Sequence, residues 1–439
     1  MPSLFLAKYF FVISYGNAIF PAMPGPKPSS LPFHYAWVIV ATGTLSIVAC
    51  LGFGRFALGM LLPSMASTLK LSYSQIGFIS TGNFIGYLAA VLFCGRLAGK
   101  IGSRRLIVGS LVVIGVSMAL ISRAASFPVV LALYLITGMG SGAANVPVMG
   151  LIAAWFDRTI RGRAAGFVVI GSGFAIIISG KLIPYVNGIV GPEGWRTNWL
   201  LLAGAVMVIA AVAHVFLRNK PEDKGLAPFG SDGAAATPAY QSLAARKSIY
   251  QNKTFYLLGA IYFLFGYTYV IYATFIVTTL VKERGFSEAI AGNFWSWVGF
   301  LSLFSGPVFG TLSDKLGRKT GLMLVFSLQT LSYLFVAAHL PLLFLYLSIG
   351  FYGIVAWSIP SIMVAAVSEY VGVDKALAAF GFITFIFGLG QITGPSIAGV
   401  LAEKTGSFSS SFFMAAAFAG AAILLTAFLK KPQHAGARE

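Results

Sequence analysis

The chain has 439 residues, of which 58% are hydrophobic, 14% aromatic and only 10% charged. A soluble domain of this length has too small an interior for so much apolar surface, so the composition indicates a membrane protein that crosses the bilayer many times. The formal net charge is +18, but the basic residues fall in short segments between apolar runs, which argues against nucleic acid as a partner.

Most of the apolar runs have the length of about 20 residues that spans a bilayer as a helix. We predict twelve spans, although hydropathy alone also allows eleven or thirteen. In chain order they lie near residues 35–62, 75–98, 104–122, 128–155, 164–187, 197–217, 254–281, 289–312, 319–338, 341–368, 376–402 and 407–429.

The charges between the spans predict the orientation. If the N-terminus is cytoplasmic, the inner segments hold 22 Lys and Arg residues and the outer segments at most 7, with Arg55 completing the 30. This positive-inside bias predicts that both termini are cytoplasmic.

Residues 1–33 form an extension before the first span. The stretch from Leu4 to Phe20 is largely apolar but includes Lys8 and Asn17, and several prolines follow it. We do not expect a signal peptide, because no small-residue cleavage motif stands out and the first span follows at once. The extension is either an interfacial segment or the result of a misassigned start, with Met23 as the true first residue.

Arg55 lies inside the first span, in Gly54-Arg-Phe-Ala-Leu-Gly-Met-Leu-Leu-Pro63, and no acidic residue precedes Asp157. A permanent cation at the bilayer centre costs about 2.5–3.5 kcal/mol on insertion scales, so it requires a partner. A bound anion held by charge-assisted bonds is one candidate. A structural bond to backbone carbonyls of another helix is the alternative.

Other polar residues interrupt the later spans. Lys181 in span 5 is either a second cation facing a cavity or a side chain that reaches the outer interface. Tyr267 and Tyr269 in span 7 fall near the counterpart of Arg55 in the second half. Amide side chains in spans should face the bundle interior, where they bind substrate or join helices; these are Asn83, Asn145, Asn293 and Gln391.

Cofactor chemistry has no sequence support. Cys50 and Cys94 both lie in apolar runs and are interpreted as small buried hydrophobes rather than a disulfide. No zinc-type ligand spacing and no G-x(4)-G-K-[ST] phosphate loop occurs, so we expect neither a metal nor transport driven by ATP. The spans contain no nucleophile–base pair, which argues against an enzyme.

Residues 218–252 divide the chain. They begin with charged residues and continue with Gly, Ala, Pro and Ser, which predicts a flexible cytoplasmic linker. We therefore expect one six-span bundle at 34–217, another at 253–430, and a tail at 431–439.

The two halves repeat. Gly95-Arg-Leu-Ala-Gly-Lys-Ile-Gly-Ser-Arg-Arg105 follows span 2, and Gly310-Thr-Leu-Ser-Asp-Lys-Leu-Gly-Arg-Lys319 follows span 8 in the same frame. Internal repeats of this kind are typical of transporters whose site lies between the repeats.

The repeated loop resembles the signature G-x-L-[AS]-D-[RK]-x-G-R-[RK] of the major facilitator superfamily. The resemblance covers about residues 34–430 and implies an all-α membrane fold, with twelve transmembrane helices in two pseudo-symmetric six-helix bundles.

In that superfamily, the Asp and Arg of the loop form a latch with neighbouring helix ends that holds the outward-facing state. The alternative is that the basic residues only enforce topology. The first copy has Gly99 in place of the Asp, so its latch should be weaker. The matching positions are Gly95, Arg96, Gly102, Arg104 and Arg105 in the first copy and Gly310, Asp314, Gly317, Arg318 and Lys319 in the second.

Within the superfamily, the motifs of drug–proton antiporters are altered, because Tyr134 stands where their span-4 arginine belongs. The segment from Arg55 to Pro63 resembles span 1 of organophosphate–phosphate antiporters, where the arginine binds the substrate phosphate. The whole chain also resembles the bacterial YbfB/YjiJ-type branch and the oxalate–formate and monocarboxylate carriers, although span 8 lacks the cation of those carriers. A single central cation suits a monoanion.

All twelve Asp and Glu residues fall in loops or at span ends. A carboxylate-driven proton symporter would therefore lack its usual proton carrier. Either the proton travels on the carboxylate of the substrate, or the protein is an anion exchanger or uniporter. A carboxylate of Glu369 or Glu403 reaching inward would contradict this expectation.

We therefore predict a monomeric secondary transporter of the bacterial inner membrane that moves a small, monocarboxylate-like organic anion by alternating access. One alternative is an exporter of amphipathic drugs or metabolites, with a wide apolar cavity and no dependence on Arg55. Another is a membrane sensor that binds a ligand without transporting it.

Overall fold

The computed structural model describes residues 33–231, 253–371 and 373–429. This part of the chain is helical and contains no β-strand, as predicted. Its twelve long helices are α1 (Ala36–Thr68), α2 (Tyr73–Ile101), α3 (Ser103–Ile121), α4 (Phe127–Trp155), α5 (Arg161–Val190), α6 (Gly194–Phe216), α7 (Thr254–Glu283), α8 (Glu288–Leu316), α9 (Arg318–Ala337), α10 (Leu342–Val371), α11 (Val373–Thr405) and α12 (Ser409–Ala427).

Eleven of these helices are long and apolar enough to cross a membrane, and α8 is the exception. Its 29 residues are a sufficient length, but buried serines lower its hydropathy. Ser296, Ser302 and Ser305 each donate a hydrogen bond to a carbonyl three or four residues earlier in the same helix. Because their hydroxyls are satisfied locally, they cost little at membrane depth.

The repeat seen in the sequence is also present in the backbone. Gly102 ends α2 with φ 87° and ψ 145°, and Gly317 ends α8 with φ 88° and ψ 149°. A second pair of glycines repeats at the same sequence interval: Gly191 has a φ of 87° and Gly406 a φ of 76°. A positive φ strongly favours glycine, so the motif glycines are required by the turn that ends each helix.

The halves meet mainly at one face of the bundle, which we call the loop face because it carries the connections at 69–72, 191–193, 284–287 and 406–408. Here a Cβ added to Gly77 of α2 would lie 2.4 Å from the Pro395 carbonyl oxygen of α11. A Cβ on Gly180 of α5 would lie 2.6 Å from the Gly292 carbonyl oxygen of α8. Only glycine permits such close approach, so the loop face is tightly closed.

The opposite face carries residues 33 and 429, and we call it the terminus face. Towards it the halves separate: an added Cβ would meet nothing within 4 Å at Gly95 or Gly99 of α2, nor at Gly310 of α8. Leu92 and Phe93 of α2 are also exposed. The molecule is therefore closed at the loop face and open at the terminus face.

Helix α1 widens into a π-helical segment, Val48–Phe56, halfway along its length. Close neighbours hold this segment: a Cβ on Gly52 would lie 2.0 Å from Cβ of Ala175 on α5. The Ser141 hydroxyl of α4 donates to the Cys50 carbonyl at 2.7 Å. π-Helical turns within α-helices frequently mark functional sites, and this one carries Arg55.

The first part of the segment predicted to be a flexible linker has a defined structure. Residues 218–231 pack against the first half: the Phe229 amide donates to the Trp155 carbonyl at 2.9 Å, and the Asp157 amide donates to the Phe229 carbonyl at 3.0 Å. Hydrogen bonds from Thr159 hold the pKa of Asp157 below its usual value. The Gly, Ala, Pro and Ser content of the linker predicts flexibility. In residues 218–231, however, the aromatic ring of Phe229 packs beside Trp37 and Phe156 and holds the segment in place.

The remainder of the linker, residues 232–252, lies outside the described residues. So do the C-terminal tail 431–439 and the N-terminal extension up to residue 32, with the alternative start at Met23.

Candidate functional site

Arg55 is buried at the middle of the molecule, with 9% of its surface exposed. Among the described residues, the three ion pairs all lie elsewhere, so no carboxylate neutralises it. Its guanidinium carbon lies 4.5 Å from the ring centre of Phe84 and 4.3 Å from that of Tyr87, both on α2. Its Nη2 is buried without a hydrogen-bond partner in the described structure. Arg55 is thus a desolvated cation with an unused donor.

Asn83 and Tyr134 fix the backbone and side chain around Arg55. The Asn83 Oδ1 accepts from Arg55 Nε at 3.4 Å, while its Nδ2 donates to the carbonyls of Gly54 and Tyr134 at 3.2 and 3.3 Å. The Tyr134 hydroxyl donates to the Arg55 carbonyl at 3.0 Å. One amide side chain therefore ties α1, α2 and α4 together at the level of the cation.

The second half supplies the facing wall. The Tyr269 hydroxyl of α7 lies close enough to Arg55 to interact with it and accepts a hydrogen bond from Gln391 of α11. The ring of Tyr269 stacks with Phe387 at 5.9 Å and contacts Trp357 of α10 edge-on at 5.9 Å. Because the phenol oxygen is already an acceptor, its own proton is free to be donated to a ligand.

A narrow cavity of about 10 Å³, roughly the space that one water molecule needs, extends from Arg55 towards the loop face. At its far end the hydroxyls of Ser80 on α2 and Thr274 on α7 lie 3.1 Å apart and join the halves. The cavity is therefore shut on the loop side. Its lining combines Arg55, Ser80, Asn83, Tyr134, Tyr269 and Thr274 with apolar residues of α1, α2 and α7.

On the other side of Arg55, a half-buried group of side chains faces the open end. The Asn145 Nδ2 of α4 donates to the Tyr87 hydroxyl at 2.7 Å, so the amide meets the same ring that Arg55 stacks on. Trp357 packs against Phe56 with ring centres 5.1 Å apart. A ligand entering from the terminus face would pass these side chains before it reached Arg55.

Of the eight residues predicted for substrate binding, the structure brings five together: Arg55, Asn83, Asn145, Tyr269 and Gln391.

The other three predicted binding residues lie elsewhere. The Tyr267 hydroxyl points to Met414 of α12 at 3.3 Å, away from the cavity. Lys181 of α5 and Asn293 of α8 are exposed and hydrogen-bonded to each other across the contact between the halves. Lys181 thus lies where its side chain can reach the interface, which is the second of the two positions predicted for it.

Sequence reasoning missed the aromatic part of the site, which is made by Phe84, Tyr87, Phe387 and Trp357. A signal was available for the first two: Tyr87 follows Asn83 by four residues and Phe84 by three, so a helix places its ring beside both. Trp357 carried no such signal, because it stands at the break between the two parts of α10.

Two carboxylates of the second half close the loop face. The Glu403 Oε2 of α11 accepts from the backbone amide of Ser74 at 3.2 Å, in the first turn of α2, where amides lack helical partners. The Glu288 Oε2 of α8 accepts from Asn187 of α5 at 2.6 Å. Both carboxylates lie at helix ends and away from Arg55.

The second copy of the repeated loop forms a charge cluster. Arg318 pairs with Asp314 and, at 2.8 Å, with Glu369 of α10, while Lys319 bonds the Ala427 carbonyl. These contacts lie within the second half and are present while the terminus face is open. They therefore brace one half internally in this state and do not join the halves.

The first copy has a different arrangement. Arg104 donates to the His214 carbonyl at 3.0 Å, and its amide donates to Asn219 Oδ1 at 2.9 Å. Gly99 offers no carboxylate, and Arg96 and Arg105 are exposed. Arg104 occupies the place of Lys319 in the repeat and likewise bonds a backbone carbonyl, whereas the ion pairs of the second copy have no counterpart among the described residues of the first.

Comparison with known proteins identifies the family. The family model described as "Uncharacterised MFS-type transporter YbfB" matches residues 47–427. The chain belongs to this family. The prediction of a major facilitator superfamily transporter, and of a transporter rather than an enzyme, is confirmed.

Individual relatives of this YbfB-type transporter are distant but matched over most of their length. The hexuronate transporter of Bacillus subtilis (strain 168) is 25% identical over 84% of this chain and 90% of its own. Human monocarboxylate transporter 2 is 24% identical over 90% of this chain and 87% of its own.

A solved structure supports the fold. A bacterial homologue of the human lysosomal transporter Spinster, in an inward-facing and unoccupied conformation, superposes with a TM-score of 0.69 at 14% identity. The match covers 90% of this chain and 95% of that one. At this identity the likeness establishes the fold alone, which is the predicted one.

Proposed function

We propose that this transporter moves a small organic anion across the bacterial inner membrane by alternating access, with Arg55 as the anchor of the anion. The observation that carries the proposal is the burial of Arg55 without a carboxylate, with Nη2 unpaired. A carboxylate ligand would supply the missing charge and accept from Nη2 and from the Tyr269 hydroxyl. The names of the hexuronate and monocarboxylate relatives are in keeping with such a cargo.

The orientation follows from the charge bias between the spans. If the terminus face is cytoplasmic, the open end of the molecule faces the cytoplasm and the contacts of Glu288 and Glu403 close the periplasmic side. Anion binding at Arg55 then lies between two barriers, of which only the loop-face barrier is closed in this state. Rocking of the halves about the central cavity would open one face as the other closes.

The coupling proposal rests on the location of the carboxylates. The acidic residues named above as contacts, Glu288, Asp314, Glu369 and Glu403, all act at helix ends, and the lining of the cavity contains none. If a proton moves with the substrate, no carboxylate of the cavity can carry it. The proton would then travel on the substrate itself, which would cross as the undissociated acid. Exchange of one anion for another is the other form of the same mechanism.

The decisive experiment is uptake of labelled carboxylates into proteoliposomes by wild type, Arg55→Ala and Arg55→Lys, with and without a pH gradient. Loss of charge-assisted bonds in Arg55→Ala should reduce uptake by about tenfold or more. Arg55→Lys should recover only part, because a lysine cannot reproduce the planar contacts with Phe84 and Tyr87.

The matched control is Arg123→Ala, which removes the same side chain from an exposed loop. Carboxylate uptake that is equal in wild type and Arg55→Ala would refute the anion site. Binding without uptake in wild type would instead favour a sensor, and uptake of amphipathic cations independent of Arg55 would favour a drug exporter.

A further inference from the structure

The site contains a second set of unpaired polar atoms, beyond the one on Arg55. The Oδ1 of Asn145 is buried and has no hydrogen-bond partner in the described structure, and the same holds for Nε1 of Trp357. A buried polar group without a partner is costly, so such atoms in a binding site indicate a ligand that completes them.

The Asn145 amide has an open position in either orientation. As described, its Nδ2 donates to the Tyr87 hydroxyl and its Oδ1 is unpaired. With the amide turned over, Oδ1 would accept from Tyr87 and Nδ2 would be unpaired. Of the simple ligand groups, a hydroxyl can satisfy both cases, because it donates and accepts.

The open position lies on the route to the cation. The ring of Tyr87 separates Asn145 from Arg55: the guanidinium stacks on the ring, and Asn145 binds its hydroxyl edge. Tyr87 and Asn145 are both half-buried, whereas Arg55 and Asn83 are buried. A ligand with its carboxylate at Arg55 would therefore have its other end beside Asn145, towards the open face.

The facing wall is suited to the same ligand. Trp357 contacts both Phe56 and Tyr269, so its unpaired Nε1 belongs to the group of side chains that surrounds Arg55. It can donate to an oxygen of the ligand but cannot accept. The aromatic rings of Phe56, Phe387 and Trp357 would cover a short carbon chain between the two polar ends.

We propose that the substrate is a hydroxycarboxylate and that Asn145 selects it by hydrogen bonding to the hydroxyl. This inference rests on the proposed function, because it takes the carboxylate to be bound at Arg55. A site built around a hydroxyl discriminates against the analogue that lacks it, since the protein groups are then left unpaired.

The test uses four anions with the same carbon chain: butanoate and its 2-, 3- and 4-hydroxy derivatives. Binding to purified full-length protein is measured by tryptophan fluorescence and by competition for uptake into proteoliposomes. In wild type, at least one hydroxy isomer should bind about tenfold more tightly than butanoate. The position of the hydroxyl in the preferred isomer then indicates the spacing between Arg55 and Asn145. In Asn145→Leu the ratio should fall to about one, because the apolar side chain offers no bond.

Two further variants keep the test decisive. Val146→Leu, on the exposed side of the same helix, should retain the full preference. Tyr87→Phe removes the hydroxyl that orients the amide, and the preference should fall severalfold even if Asn145→Leu does not fold.

The outcomes separate the two proposals. If butanoate and its hydroxy derivatives bind equally in wild type, or if the preference survives in Asn145→Leu, the hydroxyl subsite is refuted while the anion site stands. If none of the four anions depends on Arg55, the proposed function itself is refuted.

Discussion

At the scale of single residues, the environment of Arg55 explains how a cation is tolerated at membrane depth. Stacking on two aromatic rings contributes about 0.5–2 kcal/mol for each cation–π contact, and the Asn83 bond adds to it. These contacts offset much of the insertion cost of about 2.5–3.5 kcal/mol. The two rings pack against the guanidinium of Arg55 and Asn83 binds its Nε, but Nη2 stays unpaired. The cation is therefore stabilised and still available to a ligand.

Asn83 should be the residue that positions Arg55. In Asn83→Ala, the Gly54 and Tyr134 carbonyls lose their donor and Arg55 loses its acceptor. We expect the free energy of unfolding to fall by about 0.5–2 kcal/mol, the range of polar contacts between membrane helices. Anion affinity should fall as well.

Thermal unfolding can be followed with a thiol-reactive dye, because Cys50 and Cys94 are both free and buried. Asn293→Ala, the same change at an exposed position, removes only the bond from Lys181 and should lower the melting temperature less than Asn83→Ala does. Equal melting temperature and affinity in Asn83→Ala and wild type would contradict the positioning role.

At the scale of helices, glycine permits the contact between α2 and α4 that brings Asn83 to Arg55. A Cβ on Gly138 of α4 would lie 2.0 Å from the Asn83 carbonyl oxygen, whereas a Cβ on Gly109 of α3 would meet nothing within 4 Å. The two glycines therefore differ in their tolerance of the same methyl group.

Gly138→Ala should force α4 away from α2 and both lower the melting temperature and weaken anion binding. Gly109→Ala should be neutral or stabilising by up to about 1 kcal/mol, because alanine favours a helix over glycine. The comparison needs only melting curves and binding isotherms of the two variants. Tolerance of Gly138→Ala at wild-type stability would show that this packing is looser than described.

At the scale of the whole molecule, the closed loop face and the open terminus face define one of two states required for transport. The loop face is closed by glycine contacts, by Ser80 with Thr274, and by carboxylates accepting from the opposite half. All of these contacts are non-covalent, and most consist of a single hydrogen bond. The closed loop face can therefore open in each transport cycle.

A disulfide should lock this state. In the double variant Ser80→Cys/Thr274→Cys, the side-chain atoms start 3.1 Å apart as oxygens, and oxidation should join the two halves. Uptake should stop on oxidation and return on reduction, because the loop face can no longer open. Each single variant serves as a control, and the native cysteines are both buried. Undiminished uptake after complete cross-linking would show that transport does not require this face to open.

Much of the architecture could be read from the chain itself. The sequence alone predicted the membrane spans, the repeated loop after spans 2 and 8 with its glycines, and the exceptional position of Arg55. These features depend only on how the chain meets the bilayer. A span must be apolar over about 20 residues, and a buried cation must have a partner, whatever the fold.

The direction in which each side chain faces was decided only by the tertiary structure. Tyr267 and Tyr269 are two residues apart, yet one contacts α12 and the other Arg55. Lys181 had the same sequence character as Arg55, a cation in a span, but lies at the exposed surface. Lipid and protein interior are both apolar, so a membrane helix carries little amphipathic signal to tell its buried face from its lipid face. The packing of α1 with α2, α4 and α7 therefore determined which of the polar residues became one site.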